Sequence, residues 1–280
     1  MPLVTSEKML LDAQKNGYAV AAFNIENMEM AQAVTRGAEK LGAPVIMQTT
    51  PSTLRYAGVN FYYAIAKAAA DNVKVPVAIH LDHGDSFDLA LQAFRQGYTS
   101  IMIDGSPLPF EENIALTKKV VAVCQPEGIP VEAELGRVGG KEDDLVGSQD
   151  GYTLPEEAVE FVKRTGATTL AVGIGTAHGI YASEPKLDVE RLTAIRRLVE
   201  IPLVLHGASG LSDEVVRECI RRGICKVNFA TELRIAFSNG VKKVLKETPD
   251  VFDPKKYLAV GRDTVQRLVE EKILVCGCNR

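Results

Sequence analysis

Four histidines are the residues of this 280-residue chain best suited to chemistry, and their placement is uneven. His83, His178 and His206 each fall at or just past the end of a short apolar run, and His80 lies three residues before one of them. Singly, each reads as a satisfied polar residue at a strand end. Together, three imidazoles converging on one site suit a catalytic Zn²⁺, which takes three protein nitrogens and keeps positions open for substrate. His80 lies inside its run, so a hydrogen-bonded core role or the orienting of a ligand fits it better than ligation. Carboxylates recur at the same ends. Asp82 adjoins His83 and suits a general acid or base; the other reading is a partner that orients a ligating imidazole. Asp104 and Glu134 fit a displaced metal position, or equally rim carboxylates paired with Lys or Arg.

The elements that must position these groups repeat in one rhythm: a β-rich apolar run, a polar turn, then an amphipathic stretch of about 10 to 18 residues. The runs are 18–24, 44–50, 76–82, 100–104, 130–136, 169–175, 202–208 and 226–232. Helical patterns such as SFDLALQAFRQG and LPEEAVEFVKRTG lie between them and end in glycine, a common helix stop. Near-continuously apolar strands alternating with helices imply a parallel sheet covered on both faces. Eight such units imply a closed sheet, an α/β fold of the (β/α)8 TIM-barrel type with one further C-terminal helix over 254–273. An open doubly wound sheet would carry a glycine-rich fingerprint after its first strand, where this chain reads AFNIENMEM. No linker divides residues 1–280, which predicts a single domain. In such a barrel the active site lies at the C-terminal ends of the strands, where the histidines are.

Composition narrows the partners. Hydrophobic residues at 46% allow a large core, and a net charge of −4 argues against nucleic acid or an anionic membrane as a partner. No apolar run approaches a bilayer span. The N-terminus reads as a first surface helix with no signal peptide. Five cysteines without framework spacing read as reduced thiols in the cytoplasm, and the terminal C-G-C offers too few ligands for a good metal site.

An anionic ligand must therefore be held locally. HGASG (206–210) and NFATE (228–232) follow the seventh and eighth runs, where barrels often bind phosphate with backbone N–H groups and a helix N-terminus. Gly207 permits close approach, and Ser209 and Thr231 offer hydroxyls. The stretch 137–153, RVGGKEDDLVGSQDGYT, is long, glycine-rich and charged, as a lid would be; Glu142 within it could swing onto substrate, or belong to a solvated acidic loop.

HLDHGDSFD, AELGRVGGKED, VGIGTAHG, LHGASG and KVNFATELR, in that order and over nearly the whole chain, resemble the class II ketose-bisphosphate aldolases, nearest the tagatose-bisphosphate branch beside the fructose-bisphosphate enzymes. The resemblance implies zinc on His83, His178 and His206, with Asp104 and Glu134 at an alternative metal position. It makes Asp82 the acid/base at the C4 hydroxyl and Glu142 the lid carboxylate acting at C3. It places Gly179, Gly207, Ala208, Ser209, Asn228, Phe229, Ala230 and Thr231 around dihydroxyacetone phosphate. Main-chain oxygens beside Gly179 and Gly207 match those that hold a monovalent cation, Na⁺ or K⁺. A phosphorylated small-molecule substrate and a cytoplasmic homodimer or homotetramer follow from the same likeness. One position departs from the pattern: the run Tyr257-Leu258-Ala259-Val260-Gly261 has Ala259 where the tagatose type has an arginine, which leaves Arg262 as the candidate for the aldehyde-side phosphate.

Two other readings stand beside this one. A metal-free Schiff-base aldolase would use Lys226, although that residue begins its run and so belongs at the barrel's bottom. A non-catalytic barrel subunit is the other, against which every catalytic group is retained.

Overall fold

The computed structural model describes residues 3–142, 145–147, 151–181 and 185–279, and of residues 141, 142 and 145–147 only the backbone. Its strands are β1 Val20–Asn24, β2 Val45–Thr49, β3 Val77–Gly84, β4 Ser100–Ile103, β5 Val131–Leu135, β6 Gly139–Glu142, β7 Leu145–Gly147, β8 Thr169–Val172, β9 Ala177–His178, β10 Leu203–Leu205 and β11 Ile224–Phe229. Eight of them close into a barrel in the order β1-β11-β10-β8-β5-β4-β3-β2, every neighbouring pair parallel. This is the (β/α)8 barrel expected from the eight apolar runs.

Alternation along each strand divides the residues between two cores. Ala21, Phe23, Ile79, Leu81, Val227 and Phe229 face outward into the cluster shared with the helices. Each large side chain buried there contributes roughly 1.5–3 kcal/mol. The helix Phe87–Gln96 shows how the sequence sets such an element: the Ser86 hydroxyl accepts from the Leu89 N–H at its start, and Gly97 at φ 106° ends it in the left-handed region. A cap of the Ser86 kind is worth about 1 kcal/mol.

The N-terminal helix Ser6–Asn16 is more than a surface helix. Met9, Leu10 and Ala13 pack with Val20, Ala22, Ile46, Ala78 and Cys225 and close the bottom of the barrel with apolar atoms. At the other end of the chain, the helix Pro254–Cys276 packs against Met28–Leu41 and Thr231–Glu247 on the outside. No helix among the described residues is long and apolar enough to cross a membrane, and all five cysteines are buried and free.

Two local features differ from the sequence reading. Strand β11 begins at Ile224, before the apolar run starts at Lys226, so Lys226 lies inside the strand. Part of the stretch 137–153 is a hairpin, not irregular loop: β6 pairs antiparallel with β7 and parallel with β9, so it is stitched to the segment that carries His178.

Candidate active site

The last turn of β3 departs from regular strand geometry. The pairing with β4 shifts between Leu81 and Gly84, and His83 has φ 49°, the one non-glycine residue at positive φ among those described. Such a backbone costs of order 1 kcal/mol or more and persists where the surroundings over-determine it. Here Gly84 makes the close approach possible: a Cβ at that position would collide with the Met102 carbonyl oxygen, and the Gly84 carbonyl accepts from Asp104 N at 2.9 Å. The irregularity turns His83 toward Asp104 and His206.

His83 Nδ1 lies 2.7 Å from Asp104 Oδ2, and His206 Nε2 lies 2.9 Å from Glu132 Oε1. Carboxylates accept, so these two nitrogens carry the protons, and the remaining pair, His83 Nε2 and His206 Nδ1, face each other at 2.8 Å. Two lone pairs so placed call for a cation, either a proton or a metal. The electrostatics agree. Burial pushes His206 well below its usual range, and His83 beside it adds to that, so His206 is neutral. Burial acts on His83 in the same direction but is outweighed by Asp82, Asp104 and Glu134, and its net shift is well upward. His178, on β9, stands edge-on to His83 with ring centroids 4.9 Å apart. Candidate ligand atoms of His83, His178 and His206 lie within 4.8 Å of one another, as do those of His83, Asp104 and Glu134.

The donor set fits zinc. Three imidazoles converge, carboxylates fix the rings of two, and Glu134 Oε2 is buried with no hydrogen-bond partner among the described residues, 3.9 Å from both His83 Nδ1 and His206 Nδ1. Burial, then Asp104, pushes Glu134 up to about 8. Asp104 goes the other way, because the hydrogen bonds from His83 and Ser106 outweigh its burial.

Asp82 is held beneath this group. Its Oδ1 accepts from Asn228 Nδ2 at 3.0 Å, and its Oδ2 accepts from Asn24 Nδ2 at 3.1 Å and Gln48 Nε2 at 3.2 Å. A carboxylate offers about four acceptor directions, so three amides fix its plane and leave one direction for a substrate proton. Gln48 and Glu132 were not singled out from the sequence. A signal was present for Glu132, which precedes Glu134 by one strand period, whereas Gln48 is brought level with His80 only by the register of β2 and β3. His80 does not ligate; its Nδ1 meets Ser100 Oγ at 2.7 Å, and Lys226 Nζ lies 3.3 Å from its Nε2. Lys226, held by Glu132 at 2.9 Å, is an ion-paired ammonium in the interior, a poor fit to a Schiff-base nucleophile.

Of the residues expected around a triose phosphate, Gly179, Gly207, Ser209, Asn228, Ala230 and Thr231 line one narrow cleft with His178. Gly207, at φ 67°, lets the chain pass where a Cβ would sit 2.6 Å from the Ala177 carbonyl oxygen. Ser209 Oγ accepts from Ala230 N, which ties the two loops together. Ala208 and Phe229 turn their side chains into the outer core, leaving only main chain for a ligand. The Gly207 carbonyl accepts from the Tyr181 hydroxyl at 2.7 Å. Arg262 is engaged on the outer flank, with Asp263 at 3.0 Å and Gln32 at 3.3 Å. The side chain of Glu142 lies outside the described residues; its backbone ends β6.

Known structures share this fold. The YdjI aldolase of Escherichia coli K12 superposes with a TM-score of 0.87 at 38% identity, over 99% of this chain and 98% of that one. A putative fructose-1,6-bisphosphate aldolase of Coccidioides immitis gives 0.88 at 32%, over 97% and 96%. The fructose-bisphosphate aldolase of Campylobacter jejuni, at 22% identity and 0.82 over 99% and 96%, shares the fold. The family model of class II fructose-bisphosphate aldolases matches residues 4–280, and a match spanning both the barrel and its polar mouth makes this chain a member of that family and an aldehyde-lyase.

Proposed function

We propose that the chain is a zinc-dependent aldolase that splits a ketose 1,6-bisphosphate, tagatose or fructose, into dihydroxyacetone phosphate and glyceraldehyde 3-phosphate, and joins them in reverse. The observation that carries this reading is the pair of facing imidazole nitrogens, 2.8 Å apart, above a carboxylate held by three amides. His83, His178 and His206 would hold the metal, with Asp104 and Glu134 offering a second position. When bound, zinc supplies a Lewis acid toward the carbonyl oxygen beside C3, lowering the cost of the charge left by carbon–carbon cleavage.

The protein's own groups handle the protons. Asp82 accepts the C4 hydroxyl proton, the oxygen's electrons close the aldehyde, and the C3–C4 bond breaks with its pair on C3. Glu142, on the hairpin stitched to the His178 strand, then returns a proton to C3. The cleft between Gly179 and Thr231 takes the triose phosphate, with backbone N–H groups and the start of the helix Thr231–Glu247 facing the anion. The aldehyde half is read elsewhere, because Ala259 offers no cation and Arg262 must leave Asp263 and Gln32 to reach it.

Residues 1–280 act as one domain in this reading, in a cytoplasmic homodimer or homotetramer. The test is cleavage by zinc-replete protein of fructose 1,6-bisphosphate, tagatose 1,6-bisphosphate and 6-phospho-5-dehydro-2-deoxygluconate. One bisphosphate is expected to be turned over best. Preference for the third compound would move the assignment to another phosphorylated keto-sugar, and full activity in metal-free protein would overturn the zinc mechanism.

A further inference from the structure

Below the histidines the barrel interior holds an ion pair that the proposed reaction does not use. Lys226 is 1% exposed, and its ammonium lies 2.9 Å from Glu132 Oε2, 3.2 Å from Glu132 Oε1 and 3.3 Å from His80 Nε2. All three ammonium protons therefore have acceptors. His80 is fixed in turn: its Nδ1–H donates to Ser100 Oγ, which also accepts from Ser6 Oγ of the N-terminal helix at 2.9 Å. The ammonium is thus located from below by groups on three separate elements.

A buried ion pair is a poor way to stabilise a barrel, since apolar residues of the same volume do as well or better. What the pair does here is visible in Glu132. Its Oε1 is shared between Lys226 and His206 Nε2, and its Oε2 faces Lys226. The carboxylate cannot rotate without losing a bond to one or the other.

We propose that Lys226 is a positioning residue for the metal centre: it clamps Glu132, and Glu132 orients His206 so that its Nδ1 lone pair faces His83. The clamp acts through two residues and touches neither metal nor substrate. The inference rests on the zinc reading above, and the test keeps the two apart. Hydrogen-bond partners of metal-bound histidines typically tune metal affinity by about 10- to 100-fold, which sets the expected effect.

The experiment compares wild type, Lys226→Met and the double variant Lys226→Met/Glu132→Gln, which removes both buried charges and so leaves no unpaired carboxylate to oppose folding. Zinc affinity is measured by competition with a chromophoric chelator, the visible spectrum is recorded after Co²⁺ substitution, and melting is followed without metal. The clamp predicts zinc affinity lower by about 10- to 100-fold and a changed Co²⁺ spectrum in whichever variants fold. A merely structural ion pair predicts lower metal-free melting with zinc affinity within twofold of wild type and an unchanged spectrum, and that result overturns the proposal. Wild type that binds no zinc would instead sink the reading on which the clamp depends.

Discussion

His80 and His83 lie three residues apart in one strand, both buried, yet on two floors of the barrel with opposite electrostatics. On the lower floor, burial and then the Lys226 ammonium push His80 well below its usual range. On the upper floor, burial of His83 is outweighed by Asp82, Asp104 and Glu134, and the imidazole is pushed up. Desolvation acts alike on both, so the sign of the neighbouring charges decides. The lower floor supplies its own cation and satisfies it. The upper floor gathers carboxylates and lone pairs around a space that a cation suits.

The largest effect should come from breaking the upper floor. His178→Ala removes one of three imidazoles and is expected to lower zinc content and cleavage together by orders of magnitude, measured by metal analysis and turnover. Asp82→Ala should separate binding from chemistry, with zinc retained and cleavage reduced about 10²- to 10⁴-fold. If zinc were lost in proportion to activity, Asp82 would be orienting His83 and not moving a proton.

The charge difference between the floors has a pH signature. In zinc-free protein, His83 and Glu134 hold protons more tightly when folded than when unfolded, where their values are 6.5 and 4.5. Their contribution to stability is complete below those unfolded values and is lost as pH rises through the folded ones, about 8 for Glu134. His80 and His206, pushed below 6.5, act the other way only up to that pH. Metal-free melting should therefore fall as pH rises above about 6.5, while zinc affinity rises as the metal displaces fewer protons. Melting curves and chelator competition at several pH values check both trends; a flat zinc affinity would argue that His83 is not a ligand. The smallest effect is expected from His80→Asn on the lower floor, where zinc content should be kept and cleavage fall by only a few-fold. Loss of zinc comparable to that in His178→Ala would erase the distinction between the floors.

Much of this is legible in the sequence. The eight apolar runs match barrel strands within a few residues, and the run at 254–273 lies within the helix Pro254–Cys276. The hairpin of β6 and β7 was not legible, because GGKE carries neither apolar alternation nor β-branched residues. Its pairing with Ala177 and His178 is made by backbone alone. Gln48 and Glu132 were missed as parts of the site for a related reason: each looks like a stray polar residue in its own strand, and Lys226, read only as a Schiff-base candidate, gave no local sign of its pairing with Glu132.

What the sequence determined by itself is what depends on short-range order: strand and helix periods, glycine stops, and histidines at strand ends, from which a barrel with a histidine-bearing mouth follows. Folding in three dimensions decided which groups meet. His83 and His206 are 123 positions apart and touch only because the barrel closes. Glu132 becomes the shared partner of Lys226 and His206 because Glu132 on β5, Lys226 on β11 and His206 just past the end of β10 meet in one narrow interior. Residue type sets the chemistry a side chain can do. Its charge state and direction are set by neighbours distant in the chain, through desolvation and Coulomb forces that act across space and leave no local trace in the sequence.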